Sequence, residues 1–423
     1  MNRRTTIAAA LLSAITVVAA VAGCSSSSSS GSSATTQAKT VATIAAPAGL
    51  PEFYSVPDPL PDGKPGDLIK SEQVPVDGLH GTLWRVMYLS ESINGDPIAV
   101  TGMIAVPDTT APAGGREVIT WAHGTTGIAD SCAPSLDPAS LDPLANKLLD
   151  QGYAVTATDY EGQGTPGRHP YIVGESEGRG VLDIVKTARQ MPEVDAGPRY
   201  VIWGHSQGGH AALYAGHIAA QWAPDLELVG VVAGAPPSQL LLINAALQQS
   251  PFKYYIAMAA AGINAGYGDA KAPLDAVLTP EGLTWLDNVD TACAGDLRKV
   301  AAGLDFSTLQ KADPASVPAW NALLEENDPG KWTTPIPAPL LIIHGGNDEQ
   351  IPVVSSAALF TQLCAIGQVE QRWVYPEQSH AGVIAVSIDD MLTWISHRFA
   401  GEPAPDPMQP QGPPVPTTQS CPS

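Results

Sequence analysis

The stretch that decides the fold reads Tyr200-Val201-Ile202-Trp203-Gly204-His205-Ser206-Gln207-Gly208, followed by the small-residue run Gly209-His210-Ala211-Ala212-Leu213. The apolar run predicts a strand and the small-residue run a helix, with only a tight turn between them. Gly204 and Gly208 leave room for a sharp, strained reversal that holds the Ser206 hydroxyl clear of the sheet. This is the sequence context of a serine nucleophile elbow, which predicts an acyl-enzyme mechanism.

A second match to the same short pattern lies upstream, at Gly174-Glu175-Ser176-Glu177-Gly178. Two carboxylates beside this serine would oppose a developing oxyanion, whereas Ser206 has only neutral neighbours. We therefore predict that Ser176 is the N-cap of a helix and that Glu177 stabilises the first turn of that helix.

The first 24 residues predict a bacterial export signal that ends in a lipobox. Two arginines precede an apolar stretch, and the signal closes with Val21-Ala22-Gly23-Cys24. Cleavage before Cys24 would leave a thiol for lipid attachment; the alternative is an ordinary secretory signal with a chance cysteine. Residues 25–48 are rich in serine and alanine, as in a flexible stalk. We expect an exported lipoprotein on the extracytoplasmic face of the cell membrane, or a protein released from it.

Eight apolar runs of β type predict strands: Thr82–Leu89, Ile98–Val106, Glu117–Ala122, Tyr153–Thr158, Tyr200–Trp203, Leu228–Ala233, Leu340–His344 and Arg372–Tyr375. Helical segments alternate with the later runs, which predicts a mostly parallel eight-stranded sheet with helices on both faces, an α/β fold. The turn Asn94-Gly95-Asp96-Pro97 favours an antiparallel pair at the edge.

The alternation of strand and helix breaks once. About a hundred residues with helical patterns follow the sixth strand, at a position that would cover the crevice where open α/β sheets bind ligands. We therefore divide the folded part into a core, residues 49–235 and 335–400, and a helical cap, residues 236–334. Residues 401–423 are dense in proline and predict an extended tail.

The acid and the base of a serine mechanism follow from strand order. The seventh strand runs into Asp348, and the eighth runs into His380. Together with Ser206 they give the chain order Ser, Asp, His of the α/β-hydrolase triad. We predict His380 as general base and Asp348 as the acid that orients it; Glu349 is the rival acid.

Two backbone or side-chain donors would complete an oxyanion hole. One is the N–H of Gln207, the residue after the nucleophile. The other would come from His123-Gly124-Thr125-Thr126-Gly127, with Thr125 as the donor and Thr126 as its alternative. The same loop could also be a plain glycine turn.

The remaining composition narrows the class of partner. Asp and Glu number 42 against 21 Lys and Arg, which argues against nucleic acid as a ligand. Neither metal-ligand spacing nor a phosphate loop nor a dinucleotide fingerprint is present, so we expect no metal and no cofactor. Apart from Cys24 the cysteines are even in number, which predicts two disulfides with three possible pairings: Cys132, Cys293, Cys364 and Cys421.

The motifs together resemble the secretory lipase family of α/β-hydrolases, typified by fungal lipase A enzymes. The resemblance covers most of residues 50–400 and rests on these segments: His123-Gly124-Thr125-Thr126-Gly127, Cys132-Ala133-Pro134-Ser135, Asp159-Tyr160-Glu161-Gly162, Gly204-His205-Ser206-Gln207-Gly208-Gly209 and His344-Gly345-Gly346-Asn347-Asp348. It implies carboxyl-ester hydrolysis of acyl lipids, a helical cap, the Ser206, Asp348 and His380 triad, and disulfides Cys132–Cys293 and Cys364–Cys421. The chain departs from the family in its lipobox and its His-Gly loop.

Three functions follow as hypotheses. The first is a lipase or esterase acting on a small acyl ester or lipid, bound to the membrane through its lipid anchor and without an obligate protein partner. The second is a peptidase or acyltransferase with the same triad, since the fold does not fix the substrate. The third is a surface lipoprotein that binds without catalysis.

Overall fold

The computed structural model describes residues 42–141, 144–248, 250–406, 410 and 413–421. The predicted export signal, Cys24 and residues 25–41 of the predicted stalk lie outside this part of the chain. Among the described residues, none of the helices has the length and apolar character needed to cross a membrane.

The described residues form a sheet of ten strands, with a separate short ladder between Thr43–Ile44 and Val56–Pro57. In chain order the ten strands are β1 Leu68–Val74, β2 Gly81–Glu91, β3 Pro97–Pro107, β4 Arg116–Ala122, β5 Ala154–Thr158, β6 Ala196–His205, β7 Glu227–Gly234, β8 Leu340–Gly345, β9 Glu370–Tyr375 and β10 Thr417–Ser420. Their order across the sheet is β10-β9-β8-β7-β6-β4-β5-β3-β2-β1. Strands β4 to β9 are mutually parallel, and the outer strands are antiparallel.

The predicted number of eight strands is wrong, although all eight predicted runs are strands. The two additional strands, β1 and β10, lie at the edges of the sheet and are largely polar, as edge strands that face water commonly are. Their sequences therefore lack the apolar run used to find the others. β10 also lies in the segment predicted as an extended tail.

The predicted antiparallel pair is confirmed, but it does not form the edge of the sheet, because β1 lies outside it. β2 and β3 pair along their whole length, from Glu91 opposite Pro97 to Gly81 opposite Pro107. Gly95 in the connecting turn has φ 85°, a conformation that glycine adopts without strain.

Ten α-helices occur in the described residues: α1 Leu144–Leu149, α2 Gly174–Gln190, α3 Gln207–Trp222, α4 Leu240–Leu247, α5 Tyr254–Tyr267, α6 Pro280–Val289, α7 Ala294–Ala301, α8 Pro318–Glu326, α9 Val353–Ala365 and α10 Gly382–Phe399. Helices α2, α3 and α9 pack on one face of the sheet, and α1 and α10 on the other. Neighbouring strand residues Val201 and Ile202 accordingly belong to opposite cores.

Helices α4 to α8 all fall between β7 and β8, within the range predicted for the cap. They share a separate apolar core that includes Met258, Val289 and Trp320. Tyr171 and Ile172, which precede α2, belong to that core too, so the cap packs against loops at the carboxyl edge of the sheet.

Both disulfide pairings implied by the family resemblance are present. Cys132 pairs with Cys293, and Cys364 pairs with Cys421. The first bond links the loop after β4 to the cap, where Ala294 also donates its N–H to the Thr126 carbonyl at 2.8 Å. The second bond fastens the end of β10 to α9.

Candidate active site

Ser206 lies at the junction of β6 and α3 in a strained conformation. Its φ of 59° and ψ of −125° place a non-glycine residue in the left-handed half of backbone space. The flanking glycines are required by close contacts, because a Cβ at Gly204 would lie 2.1 Å from the Gly208 carbonyl oxygen and one at Gly208 would lie 1.9 Å from that of Ala122. The Ser206 N–H donates to the Gly234 carbonyl at 2.9 Å, which ties the turn to β7.

Asp348 and His380 follow β8 and β9, which are adjacent strands. Asp348 Oδ2 lies 2.7 Å from His380 Nδ1, and Asp348 Oδ1 accepts the backbone N–H groups of Gln350 and Ile351, each at 2.8 Å. Burial by itself would raise the pKa of the Asp348 carboxyl, but hydrogen bonds from His344 and His380 hold it well below its ordinary value. The carboxylate is thus an ionised partner for the imidazole.

Glu349, the rival acid, has a different contact. Its Oε2 accepts the backbone N–H of His380 at 3.1 Å, so it holds the main chain of the histidine rather than its ring. The geometry therefore brings Asp348, and not Glu349, to Nδ1 of His380.

His344 contacts Asp348, and the sequence analysis did not predict this contact. It is fully buried at the end of β8, and its Nε2 lies 3.2 Å from Asp348 Oδ2. Its Nδ1 lies 2.8 Å from the Ser356 hydroxyl on α9. Asp348 Oδ2 consequently lies between two imidazoles. The signal in the sequence that could have indicated this contact was the four-residue spacing between His344 and Asp348 at a strand end.

Two other histidines of the motifs are poor proton acceptors. Burial, reinforced by the neighbouring His380, lowers the pKa of His205 to about 3, and its ring centroid lies 4.6 Å from that of His380. Burial lowers the pKa of His123 to about 4. Both side chains are therefore neutral near pH 7.

The proposed oxyanion donors belong to segments that lie next to Ser206. Gln207 is the first residue of α3, where backbone N–H groups have no partner within the helix. The loop 123–127 also comes close, since a Cβ at Gly124 would lie 3.7 Å from that of Ser206. The Thr125 hydroxyl lies 2.8 Å from the Tyr171 hydroxyl, whereas the Thr126 hydroxyl accepts from Gln163 Nε2 at 3.0 Å.

Ser176 occupies a different environment. The prediction that it is an N-cap is wrong, because α2 begins at Gly174 and its N-cap position is Val173. The Ser176 hydroxyl is buried and donates to Glu161 Oε2 at 2.5 Å. A hydroxyl that donates to a carboxylate is not paired with the histidine that would activate it.

An apolar cavity lies between the cap and the sheet edge. It is narrow, with a volume of about 80 Å³. Its lining is almost entirely apolar: Tyr171, Ile172, Pro237, Leu240, Ile243, Asn244, Leu247, Tyr255, Ile256, Ala259, Ala260, Ile263, Pro314, Trp320, Leu324 and Ile351. Although Ser206 and His380 do not line it, Ile351 donates its N–H to Asp348, and Tyr171 contacts Thr125. The cavity therefore adjoins the candidate active site.

The amino-acid sequence is similar to those of several lipases. Lipase 6 of Candida albicans is 26% identical over 405 residues, which cover 85% of this chain and 83% of that protein. The secreted triacylglycerol lipase LIP4 of Malassezia globosa is 26% identical over 376 residues, covering 83% of this chain and 81% of that lipase.

Comparison of structures finds the same fold. Candida antarctica lipase A superposes with a TM-score of 0.70 at 21% identity, covering 80% of this chain and 83% of that one. An esterase from Xanthomonas oryzae, LipA, described as degrading the rice cell wall, gives a TM-score of 0.64 at 16% identity, with coverage of 79% and 97%. Residues 142–407, more than half of the chain, match the family model described as secretory lipase. The chain therefore belongs to the secretory lipase family and has the α/β-hydrolase fold.

Proposed function

We propose that this protein is an exported serine hydrolase that cleaves carboxyl esters of acyl lipids through an acyl-enzyme intermediate. The observation that carries the proposal is the Asp348–His380 hydrogen bond of 2.7 Å on loops that follow β8 and β9, together with the strained Ser206 after β6. All three loops leave the carboxyl ends of parallel strands, where open α/β sheets place their ligands.

In the proposed mechanism Ser206 Oγ attacks the ester carbonyl while His380 Nε2 takes the hydroxyl proton. Asp348 accepts the Nδ1–H of His380 and stabilises the resulting imidazolium. Collapse of the tetrahedral intermediate expels the alcohol, which receives the proton from His380 and leaves the acyl group on Ser206. Water, deprotonated by His380, then releases the carboxylic acid and restores the serine.

The oxyanion of each tetrahedral intermediate needs hydrogen-bond donors. We assign these roles to the backbone N–H of Gln207, at the positive end of α3, and to Thr125. The contact between Thr125 and Tyr171 supports this choice, because it fixes the position of the loop beside Ser206. No step of this mechanism uses a metal or an organic cofactor.

The apolar cavity favours an acyl lipid over a peptide as the substrate. An acyl chain can occupy a cavity whose walls are aliphatic and aromatic without leaving polar groups unpaired. A peptide or a polar acyl acceptor would place amide or hydroxyl groups there at a cost in free energy. Family membership and the names of the relatives support the same class of substrate.

Export is the second part of the proposal. The secretory lipase family and a secreted relative support it, and two disulfides fit an oxidising compartment. We further propose that Cys24 carries a lipid that holds the mature protein on the extracytoplasmic face of the membrane.

The test compares Ser206→Ala with Ser176→Ala, the matched change in the second Gly-x-Ser-x-Gly sequence. We expect Ser206→Ala to lose at least about three orders of magnitude in kcat on p-nitrophenyl acyl esters, as loss of a triad nucleophile does elsewhere. Ser176→Ala should stay within about tenfold of the wild type, since its hydroxyl serves only Glu161.

A fluorophosphonate should label the wild type at Ser206 and leave Ser206→Ala unlabelled. An active Ser206→Ala enzyme, or an inactive Ser176→Ala enzyme, would contradict the assignment. Substrates from acetate to long-chain triglycerides, with aminoacyl anilides beside them, would separate lipase, esterase and peptidase.

A further inference from the structure

The upstream Gly-x-Ser-x-Gly sequence packs against α3, the helix that follows Ser206. A Cβ at Gly174 would lie 2.2 Å from the ring of Tyr214 on α3, and one at Gly178 would lie 2.9 Å from the backbone nitrogen of Ala215. Both glycines of the upstream sequence are therefore needed to bring α2 against the helix that follows Ser206. This close approach brings Glu177 within hydrogen-bond distance of Gln207.

Glu177 is completely buried and accepts hydrogen bonds from three elements. Its Oε1 accepts from Gln207 Nε2 at 2.9 Å and from the backbone N–H of Ile172 at 3.0 Å. Its Oε2 accepts from His210 Nδ1 at 2.9 Å. A buried carboxylate with this many donors fixes the position of each of them.

Both hydrogens of the Gln207 side-chain amide are donated in hydrogen bonds. One hydrogen points to Glu177, and the other points to His169 Nε2 at 2.8 Å. His169 can accept there because its Nδ1 donates to the Glu161 carbonyl at 2.8 Å. A flipped amide would turn its oxygen toward the Glu177 carboxylate, so this orientation of Gln207 is the favourable one.

His210 links Glu177 to the cap. Its Nδ1 lies 2.9 Å from Glu177 Oε2, and its Nε2 lies 2.8 Å from the carbonyl oxygen of Asn327. Both ring nitrogens therefore have a hydrogen-bond partner, and the ring holds the Glu177 carboxyl in one position.

Glu177 also supports the opposite side of the oxyanion site. Ile172, whose N–H it accepts, has a strained φ of 62°. The adjacent Tyr171 contacts the Thr125 hydroxyl at 2.8 Å. Tyr171 and Ile172 both line the apolar cavity. Glu177 is therefore linked to both proposed oxyanion donors. It contacts Gln207 directly, and it is connected to Thr125 through Ile172 and Tyr171.

We propose that Glu177 is a positioning residue for the oxyanion hole, acting chiefly through Gln207. This inference rests on the proposed function, because it assumes that Ser206 forms an acyl enzyme and that the Gln207 N–H stabilises its oxyanion. Glu177 touches neither substrate nor nucleophile; it sets where the donor lies.

The first test is Glu177→Gln, which keeps the shape but replaces an acceptor oxygen by a donor. One of the three hydrogen bonds is then lost, and Gln207 loses its charged partner. We expect kcat for p-nitrophenyl butyrate to fall roughly 10- to 100-fold, the scale of a small displacement of a catalytic group. KM should change by less than about threefold, since ground-state binding does not use the oxyanion donor.

Glu175→Gln is the matched control on the same helix. Glu175 is half exposed and pairs with Arg179 at 2.6 Å, away from Gln207. Its kcat and KM should equal those of the wild type. Fluorophosphonate titration gives the fraction of competent serines, so kcat is expressed per labelled Ser206. A normal kcat per labelled site in Glu177→Gln would show a purely structural role and overturn the proposal.

Gln207→Met provides a second variant that is independent of the folding of Glu177→Gln. It removes the side-chain donor at similar volume and should lower kcat roughly 10-fold at unchanged KM. Combined with Glu177→Gln it should cost little more than the larger single loss, because both changes act through one side chain. Fully multiplicative losses, or an unchanged kcat in Gln207→Met, would overturn the proposal. A wild type that is not labelled would instead refute the proposed function itself.

Discussion

At the scale of single residues, two adjacent acids take separate positions around one histidine. Asp348 meets the His380 ring at Nδ1, and Glu349 meets the backbone N–H of the same residue. His344 contacts the oxygen of Asp348 that also faces His380. The acid is therefore held by contacts from β8, from its own loop and from the histidine that it orients.

We expect Asp348→Asn to lower kcat by roughly four orders of magnitude, the loss seen when a triad acid becomes an amide. The amide would present a donor to Nδ1 and favour the tautomer that cannot accept the serine proton. Because hydrogen bonds hold the pKa of Asp348 well below its ordinary value, the wild-type carboxylate stays ionised throughout an assay from pH 5 to pH 9, a range chosen to lie above about pH 4.

Glu349→Gln is the comparison variant, since its amide oxygen can still accept the His380 N–H. Its kcat should remain within about tenfold of the wild type. The two variants are compared by kcat on one soluble ester across that pH range. A larger loss in Glu349→Gln than in Asp348→Asn would transfer the role of the acid to Glu349.

At the scale of helices and strands, the elements that could be predicted from the sequence were those with a clear hydrophobic pattern. The parallel strands are buried on both faces and most contain an apolar run, so their sequences identify them. The edge strands β1 and β10 are polar because they face water. The start of α2 was predicted wrongly, because Asn327 of the helical cap accepts the Gly174 N–H at 2.9 Å. Such a contact across 153 positions is absent from any local pattern.

The same limit applies to the candidate site. The elbow sequence with its neutral neighbours, together with strand order, selected Ser206, Asp348 and His380 from the rest of the chain, and the structure brings Asp348 to the His380 ring. The contacts of His344 and Glu177 depend on how a loop turns and how closely two helices approach. Those distances are set by packing between elements, which the spacing of residues does not encode.

Glu370, at the start of β9, is a buried acid with a measurable effect on stability. Its side chain lies beside the Cys364–Cys421 disulfide, with Oε1 3.6 Å from Cys364 Sγ. Among the described residues its Oε2 has no hydrogen-bond partner. Burial raises the pKa of Glu370 from its ordinary 4.5 to about 9, although Arg372 opposes the shift. The folded protein therefore holds a proton that the unfolded chain releases.

The free energy of unfolding should consequently fall as pH rises between about 4.5 and about 9. The limiting slope from this single group is about 1.4 kcal/mol per pH unit. Glu370→Gln removes the titration, so its gain in Tm over the wild type should be larger at pH 8 than at pH 5. Glu193→Gln, an exposed acid, serves as the control and should show no such difference. An equal gain at both pH values would mean that Glu370 is ionised in the folded state.

At the scale of the whole molecule, each disulfide ties together two segments that are distant in the sequence. Cys132–Cys293 joins the cap to the loop that carries Thr125, across 161 positions. Cys364–Cys421 holds the tail against the sheet edge, across 57 positions. Bonds that close such long loops restrict the unfolded chain strongly. This arrangement suits a member of a secretory family, because disulfides persist in an oxidising compartment.

The proposed lipid anchor predicts where the activity is found. We expect Cys24→Ala to move esterase activity from the membrane fraction to the soluble fraction, because we propose the Cys24 thiol as the site of lipid attachment. Activity per mole of protein on a soluble ester should be unchanged, since Cys24 precedes the predicted core, residues 49–235 and 335–400, in the sequence. Ser25→Ala, the neighbouring change, should stay in the membrane fraction. Retention of Cys24→Ala there would mean that another part of the chain binds the membrane and that the lipid anchor is not required.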